Sequence, residues 1–131
     1  MKDINIYIIE KLKKINSRNS EKHYNYFPQN RAELVTIINK LIKKRGNEAN
    51  LNDIDVSKVW DMEAIFYKTN FNGDISDWDV SNVKRMNWMF EKSKFTGENG
   101  DISDWDVSNV THMTEMFRDC PLEKNPPKWY K

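Results

Sequence analysis

The sequence has a single cysteine, Cys120, so no disulfide bond can form within the chain. A protein without disulfides fits a reducing compartment best. The sequence also lacks any apolar run approaching the roughly 20 residues that a membrane span needs. Its first ten residues include Asp3 and Glu10 and do not follow the pattern of a secretory signal. We therefore expect a soluble, cytoplasmic protein without a membrane partner.

The patterns that mark metal and catalytic sites are missing as well. His23 and His112 are far apart, and neither has a metal-ligand spacing. The aspartates between residues 74 and 106 are a ligand type that calcium accepts, but the EF-hand order and the calcium-binding nonapeptide are absent. No glycine-rich phosphate loop occurs. We expect no metal, no cofactor and no catalytic residue, and we assign the aspartates to turns and helix caps.

The chain's formal net charge of +1 combines two halves of opposite sign. Residues 1–50 carry 11 Lys and Arg against 5 Asp and Glu, whereas residues 51–131 carry 10 against 15. Basic side chains can contact nucleic-acid phosphates. Those concerned are Lys11, Lys13, Lys14, Arg18, Lys40, Lys43, Lys44 and Arg45. Because the second half is acidic, we favour two solvated surfaces and keep nucleic-acid binding as the alternative.

Two amphipathic helices are predicted in the basic half. The first covers residues 3–15, where Ile4, Tyr7, Ile8, Leu12 and Ile15 share one face. The second is better defined. Asn30 is a natural N-cap, Glu33 follows as in a capping box, and Gly46 suits a left-handed C-cap. Its apolar stripe consists of Leu34, Ile37, Ile38, Leu41 and Ile42.

From residue 51 the chain repeats itself. The twelve residues at 72–83, Asn-Gly-Asp-Ile-Ser-Asp-Trp-Asp-Val-Ser-Asn-Val, recur unchanged at 99–110, and a partial copy lies at 53–59. Each copy continues with Val, Met, Met or Ile, and Phe at spacings of three, three and one. A period in the twenties is typical of stacked repeats, because one repeat cannot bury its apolar face alone.

The apolar spacing predicts a short helix in each repeat, preceded by a very short strand. The residues placed to cap those helices are Asp79, Ser81, Asp106 and Ser108. Trp78 and Trp105 hold the same place in two copies. We expect them to pack on each other or on a neighbouring repeat.

These patterns predict an α/β fold, namely a short, capped, leucine-rich-repeat-like solenoid of about three repeats with N-terminal α-helices. Residues 1–50 form the predicted N-terminal helical cap. Residues 51–131 form the predicted repeat domain, of which residues 118–131 are the C-terminal cap.

The repeat resembles the BspA-like leucine-rich-repeat family, also called the Mycoplasma lipoprotein-associated type. The resemblance rests on residues 71–83 followed by Met86, Met89 and Phe90, and on the second copy at 101–117, and it covers roughly residues 51–131. It implies an α/β solenoid that binds other macromolecules, in bacteria and their phages, with no catalytic residues. With three repeats and no signal peptide, the chain looks like a small phage- or mobile-element-encoded member, which would act in the host cytoplasm.

Aligning the copies separates framework positions from positions where the residue changes. The changing positions hold Trp60, Lys84 and Thr111, then Asp61, Arg85 and His112, then Ala64, Trp88 and Glu115. Tryptophan and arginine are enriched in binding hot spots. We therefore predict a protein-binding surface made of Trp60, Lys84, Arg85, Trp88, His112 and Glu115. The alternative is that the two tryptophans pack on the N-terminal helices or on a neighbouring repeat.

Together these observations predict a non-enzymatic protein-binding module, such as an accessory protein or an inhibitor of a host protein. Two alternatives remain open from the sequence. One is a nucleic-acid-binding protein that uses the basic N-terminal helices, and the other is a component of cell-surface or virion attachment.

Overall fold

A computed structural model describes residues 23–131, so the predicted helix at residues 3–15 lies outside the described residues. Residues 23–131 contain one α-helix, one 3-10 helix at Pro121–Lys124 and no β-strand. Isolated parallel bridges join neighbouring segments instead. Neither helix of this part of the chain is long and apolar enough to cross a membrane.

The predicted second helix is confirmed as α1, Arg31–Arg45. The Asn30 side chain accepts a hydrogen bond from the Glu33 N–H at 2.9 Å, and the Glu33 carboxylate accepts one from the Gln29 N–H at 2.8 Å. These bonds satisfy donors at the open first turn of the helix. The helix ends at Gly46, whose φ of 94° favours glycine. Its buried residues are Leu34, Ile38 and Leu41.

The repeats contain turns where short helices and strands were predicted, so the predicted α/β leucine-rich-repeat-like solenoid is wrong. The physical reason lies at two places in each repeat, where residues other than glycine adopt a positive φ. They are Ala64, Lys68, Trp88, Lys92, Glu115 and Asp119. Left-handed residues four positions apart interrupt a right-handed helix. No helix follows Asp79 or Asp106, and the predicted helix caps at these aspartates are wrong as well.

Successive repeats lie side by side in register. The N–H groups of alternate residues from Met62 to Lys68 donate to carbonyl oxygens of alternate residues from Arg85 to Glu91, at 2.9–3.0 Å. Alternate residues from Met86 to Lys92 donate in the same way to those from His112 to Arg118, at 2.7–2.9 Å. Because these donors are satisfied by the next repeat, each repeat depends on its neighbour for backbone hydrogen bonds.

Stacked phenylalanines run through the interior of the repeats. Phe66, Phe90 and Phe117 form a column with ring centroids 5.5 Å apart and nearly parallel planes. Phe71 and Phe95 stack beside it, each 4.5 Å from a ring of the first column. All five side chains are fully buried. This close packing holds the overlying turns in a fixed position.

Three tryptophans occupy equivalent places along the stack. Trp78, Trp105 and Trp129 each donate an indole hydrogen bond to a carbonyl oxygen of the preceding repeat, those of Leu51, Ile75 and Ile102 respectively. Trp78 stacks on a buried phenylalanine, and Trp105 stacks on Trp129. The repeat tryptophans thus pack on neighbouring segments, and the C-terminal tail adds a third tryptophan to the same series.

Candidate functional site

The recurring aspartates are engaged in closing turns. In each of five turns, an aspartate Oδ1 accepts hydrogen bonds from the N–H and the hydroxyl of the serine two residues later, at 2.6–3.1 Å. The pairs are Asp55–Ser57, Asp74–Ser76, Asp79–Ser81, Asp101–Ser103 and Asp106–Ser108. The hydrogen bonds from serine lower the pKa of Asp101 and Asp106. These bonds show the predicted turn role of the aspartates.

Neither a metal centre nor a reactive thiol emerges between residues 23 and 131. No group of three or more His, Cys, Asp and Glu side chains there is arranged to hold a metal ion. Cys120 is buried, its thiol donates to the Phe95 carbonyl oxygen at 3.2 Å, and burial raises its pKa. A raised pKa keeps the thiol protonated and therefore a poor nucleophile.

The predicted site residues fall into three rows that the backbone sets side by side. Lys84 and Arg85 both donate their N–H groups to the Trp60 carbonyl oxygen, at 2.8 and 3.3 Å. Arg85 forms an isolated parallel bridge with His112. In the third row Trp88 lies between Ala64 and Glu115, at the left-handed turn position of each repeat. The repeat register thus brings the predicted residues together within rows.

Trp88 and Glu115 line a shallow pocket of about 220 Å³ together with Ala64, Tyr67 and Glu91. We call this the Tyr67–Trp88 pocket. Trp88 is 39% exposed and Tyr67 is 38% exposed, so both rings present apolar surface to the solvent. Trp60, which is 54% exposed, does not line this pocket. The two predicted tryptophans are therefore exposed, as expected for residues outside the repeat framework.

Glu91, which carries a carboxylate, lines the Tyr67–Trp88 pocket although the residue is only 7% exposed. Among residues 23–131, none forms a hydrogen bond or ion pair with this carboxylate. No fully buried side-chain nitrogen or oxygen in this part of the chain lacks a hydrogen-bond partner. Glu91 and Glu115 together give the pocket lining a negative charge.

Arg85, which was predicted to face a partner, is engaged within the chain. Its guanidinium donates to Glu63 Oε1 from Nε at 3.0 Å and from Nη2 at 2.7 Å, and Asn87 donates to the same oxygen at 2.8 Å. Burial raises the pKa of Glu63, but the hydrogen bonds from Arg85 and Asn87 outweigh it and the pKa is lowered. The Arg85 side chain therefore links two repeats.

The other predicted polar residues lie at the surface. Lys84 is exposed, and His112 is exposed with its Nδ1 2.8 Å from the Thr111 hydroxyl. Glu115 forms an ion pair with Arg118 at 3.2 Å, in which both side chains are about half exposed. An ion pair this exposed contributes little to stability.

Tyr67 and Glu91 were missed by the sequence reasoning. They stand at one position of the alignment, directly after the framework phenylalanines, where the third copy has Arg118. The residue at this position changes between copies, as it does at the positions that were selected. That variation could have identified both residues, whereas the burial of the Glu91 carboxylate could not be inferred from it.

The structure describes only some of the basic residues that the nucleic-acid alternative would use. Lys11, Lys13, Lys14 and Arg18 lie outside the described residues. Lys43 and Lys44 are exposed at the end of α1, but Arg45 forms a double hydrogen bond with the Asp53 carboxylate, at 2.9 Å for each contact. Arg45 is thus committed to holding α1 against the first repeat.

Comparisons with known proteins gave one match. A family model described as "Mycoplasma protein of unknown function, DUF285" matches residues 35–130. No curated protein and no solved structure matches the chain. The family match begins inside α1 and extends through all three repeats and nearly the whole tail.

Proposed function

Because the chain belongs to the family described as Mycoplasma protein of unknown function, DUF285, whose description assigns no activity, we propose a function from its surface. It is a non-enzymatic protein-binding module whose partner docks on the Tyr67–Trp88 pocket. The observation that carries the proposal is a pair of exposed aromatic rings around a concave site on a tightly packed frame. Aromatic residues at such sites dominate the binding energy of protein interfaces.

The backbone at Trp88 supports this reading. Its φ of 57° is unusual for a bulky residue, whereas Ala64 and Glu115 occupy the same left-handed position in the other repeats. The turn therefore accepts different side chains and does not require tryptophan. Two exposed aromatic rings at one concave site form the kind of apolar surface that marks a protein interaction.

Nucleic acid is the less favoured partner for this pocket. Single-stranded nucleic acid can stack on exposed aromatic rings, but the sites that bind it combine those rings with a positively charged groove. Here the rings are accompanied by the carboxylates of Glu91 and Glu115, which repel phosphates. The observations therefore favour a protein partner.

The relationship to the BspA-like, Mycoplasma lipoprotein-associated type of repeat belongs to the same proposal. Its support is the unchanged twelve-residue segment at 72–83 and 99–110, together with the family match. The proposal extends to a small accessory protein encoded by a phage or mobile element, or to an inhibitor of a host protein. The leucine-rich-repeat fold is not part of the proposal.

Selection from a random peptide library displayed on phage tests the binding function. Immobilised wild-type protein should enrich a defined set of peptides, and the double variant Tyr67→Ala, Trp88→Ala should lose most of them. Alanine is already present at the equivalent position, Ala64, so the turn should survive the change at Trp88. Phe27→Ala is the matched control, because it removes an exposed aromatic ring that lies beside α1 instead.

The proposal predicts enrichment by the wild type and by the Phe27 control only. Equal enrichment by the double variant would move the binding surface elsewhere, and the absence of enrichment by any form would contradict a peptide-binding function. Trp60→Ala, tested in parallel, decides whether Trp60 belongs to the same binding surface. A reduced enrichment would include it.

A further inference from the structure

The Tyr67–Trp88 pocket is too small for most free ligands but large enough for a single side chain. Its volume is about 220 Å³. Pockets that enclose small molecules typically have volumes of roughly 300–1,000 Å³. The size therefore favours one inserted residue of a docked protein over a cofactor or a metabolite.

The polar lining of the pocket has one sign of charge. Glu91 and Glu115 both line it, and no basic residue does. Glu91 is the more informative of the two, because its carboxylate lies on a residue that is only 7% exposed and has no hydrogen-bond or ion-pair partner among residues 23–131. A carboxylate on a residue this buried is partly desolvated, and a cation brought in from outside would offset the cost of that desolvation.

The aromatic rings favour the same occupant. A cation above an aromatic face is attracted by the ring, and more strongly as the site loses water. The Tyr67 ring already attracts one, because Lys68 Nζ lies 5.3 Å from its centroid. Trp88 offers the better ring for such an interaction, and it stands on the same pocket.

We propose that this pocket receives the side chain of an arginine or lysine of the protein partner, with its cation against the Glu91 carboxylate and its stem between Tyr67 and Trp88. This inference rests on the proposed function, because it names the chemistry of the partner at that same site. It commits the partner to a basic segment. An apolar peptide or a nucleic acid at the pocket would contradict it.

Within the chain, Arg118 is the cation that competes with an incoming basic side chain for the acidic lining of the pocket. Its pKa is raised mainly by its hydrogen bond to Glu115, and the charges of Glu115 and Glu91 raise it further. However, its ion pairs are with Glu115 and Asp119, and its side chain is 53% exposed. Such an exposed ion pair contributes little to stability, so an incoming cation can displace it.

Titrations monitored by NMR test the inference on the full chain. The probes are three short peptides that differ at one residue, acetyl-Gly-Arg-Gly-amide, its lysine counterpart and its norleucine counterpart. Norleucine supplies an apolar stem without a charge. The inference predicts that the arginine or lysine peptide shifts the Trp88 indole signal in a saturable way, and that the norleucine peptide at equal concentration does not.

Glu91→Gln removes the charge while keeping the shape of the side chain, and it should weaken binding of the basic peptide about tenfold, the loss expected for a charge-assisted contact. The matched control, Glu98→Gln, removes an exposed carboxylate that does not line the pocket and should leave affinity unchanged. If the Glu91 variant does not fold, two other measurements replace it. One is the binding of the basic peptide to Glu115→Gln. The other is the comparison of the arginine and norleucine peptides on the wild-type protein.

Four outcomes would overturn the inference. They are equal binding of the norleucine peptide, an unchanged affinity in the glutamine variant, no shift by any basic peptide, and a shift by single-stranded oligonucleotide in place of the peptides. The failure of the wider proposal looks different. The phage-displayed peptides could depend on Trp88 and yet contain no basic residue. That result would agree with the proposal of protein binding and would contradict only the cationic occupant.

Discussion

Single residues carry unusual backbone conformations in every repeat. Ala64, Trp88 and Glu115 share one left-handed turn position, and Lys68, Lys92 and Asp119 share the other. For an L-residue this conformation costs roughly 1–2 kcal/mol. Glycine would avoid that cost, yet none of the six positions holds it. The stacking of the phenylalanines and the hydrogen bonds to the next repeat must therefore offset this cost and hold these turns in place.

A β-branched residue at a left-handed position should destabilise the fold. We expect Lys92→Ile to reduce the free energy of unfolding by about 1 kcal/mol or more, because a side chain branched at Cβ crowds the backbone at positive φ. The matched control is Lys94→Ile, two residues away, where the lysine is also exposed but φ is not positive. Urea denaturation followed by circular dichroism measures both. Equal losses in the two variants would refute the assignment of strain to residue 92.

Asn87 ties all three repeats together through one buried side chain. It donates to Glu63 Oε1 at 2.8 Å and accepts from the Thr114 N–H at 2.7 Å. Asn87→Ala leaves that N–H without its acceptor, and we expect a loss of about 1–3 kcal/mol of unfolding free energy. Asn70→Ala changes an exposed asparagine and should have little effect. Similar values for both variants in chemical denaturation would show that Asn87 is not a structural link.

At the scale of elements, α1 is attached to the repeats through both its end residues, and Arg31 at its start donates to the Glu63 carbonyl oxygen at 2.6 Å. Arg45 donates to both Asp53 carboxylate oxygens at 2.9 Å and to the Asn50 carbonyl oxygen at 3.0 Å. Hydrogen bonding from Arg45 is the main cause that lowers the pKa of Asp53 from its ordinary 3.8 to about 2. Arg45, one of the cations of the nucleic-acid alternative, thus forms a specific contact within the chain that sequence periodicity does not reveal.

This contact predicts a defined pH dependence. Because the pKa of Asp53 is lower in the folded state, its stabilisation is fully present above the ordinary value of 3.8 and is lost as the pH falls through about 2. We expect Asp53→Asn to be less stable than wild type by about 1–2 kcal/mol at pH 6. The difference should shrink towards zero near pH 2. Urea denaturation at a series of pH values measures it, and a difference that stays constant with pH would contradict the linkage.

The C-terminal tail packs as a partial further repeat. Trp129 stacks on Trp105 with centroids 6.1 Å apart and donates to the Ile102 carbonyl oxygen at 2.9 Å, as the repeat tryptophans do with the repeats before them. The step from Trp105 to Trp129 is 24 residues, which equals the shorter of the two steps between successive repeats. Tyr130 adds an edge-on contact with Phe117. The tail therefore covers the end of the aromatic column.

Removing the tail tryptophan should expose that end. We expect Trp129→Ala to cost about 2–4 kcal/mol of unfolding free energy, since a large, partly buried ring is lost. Trp129→Phe should cost less, because it keeps the stacking and loses the indole hydrogen bond. Lys131→Ala is the control at an exposed neighbouring position. An alanine variant as stable as this control would show that the tail does not stabilise the repeats.

At the scale of the whole molecule, the arrangement of the repeats decided the secondary structure. The spacing of Val59, Met62, Ile65 and Phe66 suits one face of a helix, which is why helices were predicted. The same spacing places side chains in a common interior when the chain turns tightly instead. The choice depends on where the N–H groups find acceptors, and from Met62 to Lys68 alternate N–H groups find them 23 residues further along the chain.

At the candidate site, too, some features follow from the sequence and others depend on contacts between repeats. The alignment of the copies identified exposed positions correctly for Trp60 and Trp88. The Arg85 side chain is 41% exposed, but the alignment did not reveal its bond to Glu63, a residue of the preceding repeat. It also passed over Glu91, whose role depends on being buried beside rings that come from two different repeats. The variation at a single position of the alignment does not show which residues of another repeat that position contacts.

The sequence alone determined the features that arise within a few residues. These are α1 with its caps at Asn30 and Gly46, the phase of the repeats and the aspartate–serine turns, because capping and turn hydrogen bonds act locally. The tertiary structure alone decided that the repeats turn and do not coil into helices, that Trp129 joins the tryptophan series, and that Glu91 lines one pocket with Tyr67 and Trp88. Those features depend on hydrogen bonds and packing between segments more than twenty residues apart, which local propensity does not encode.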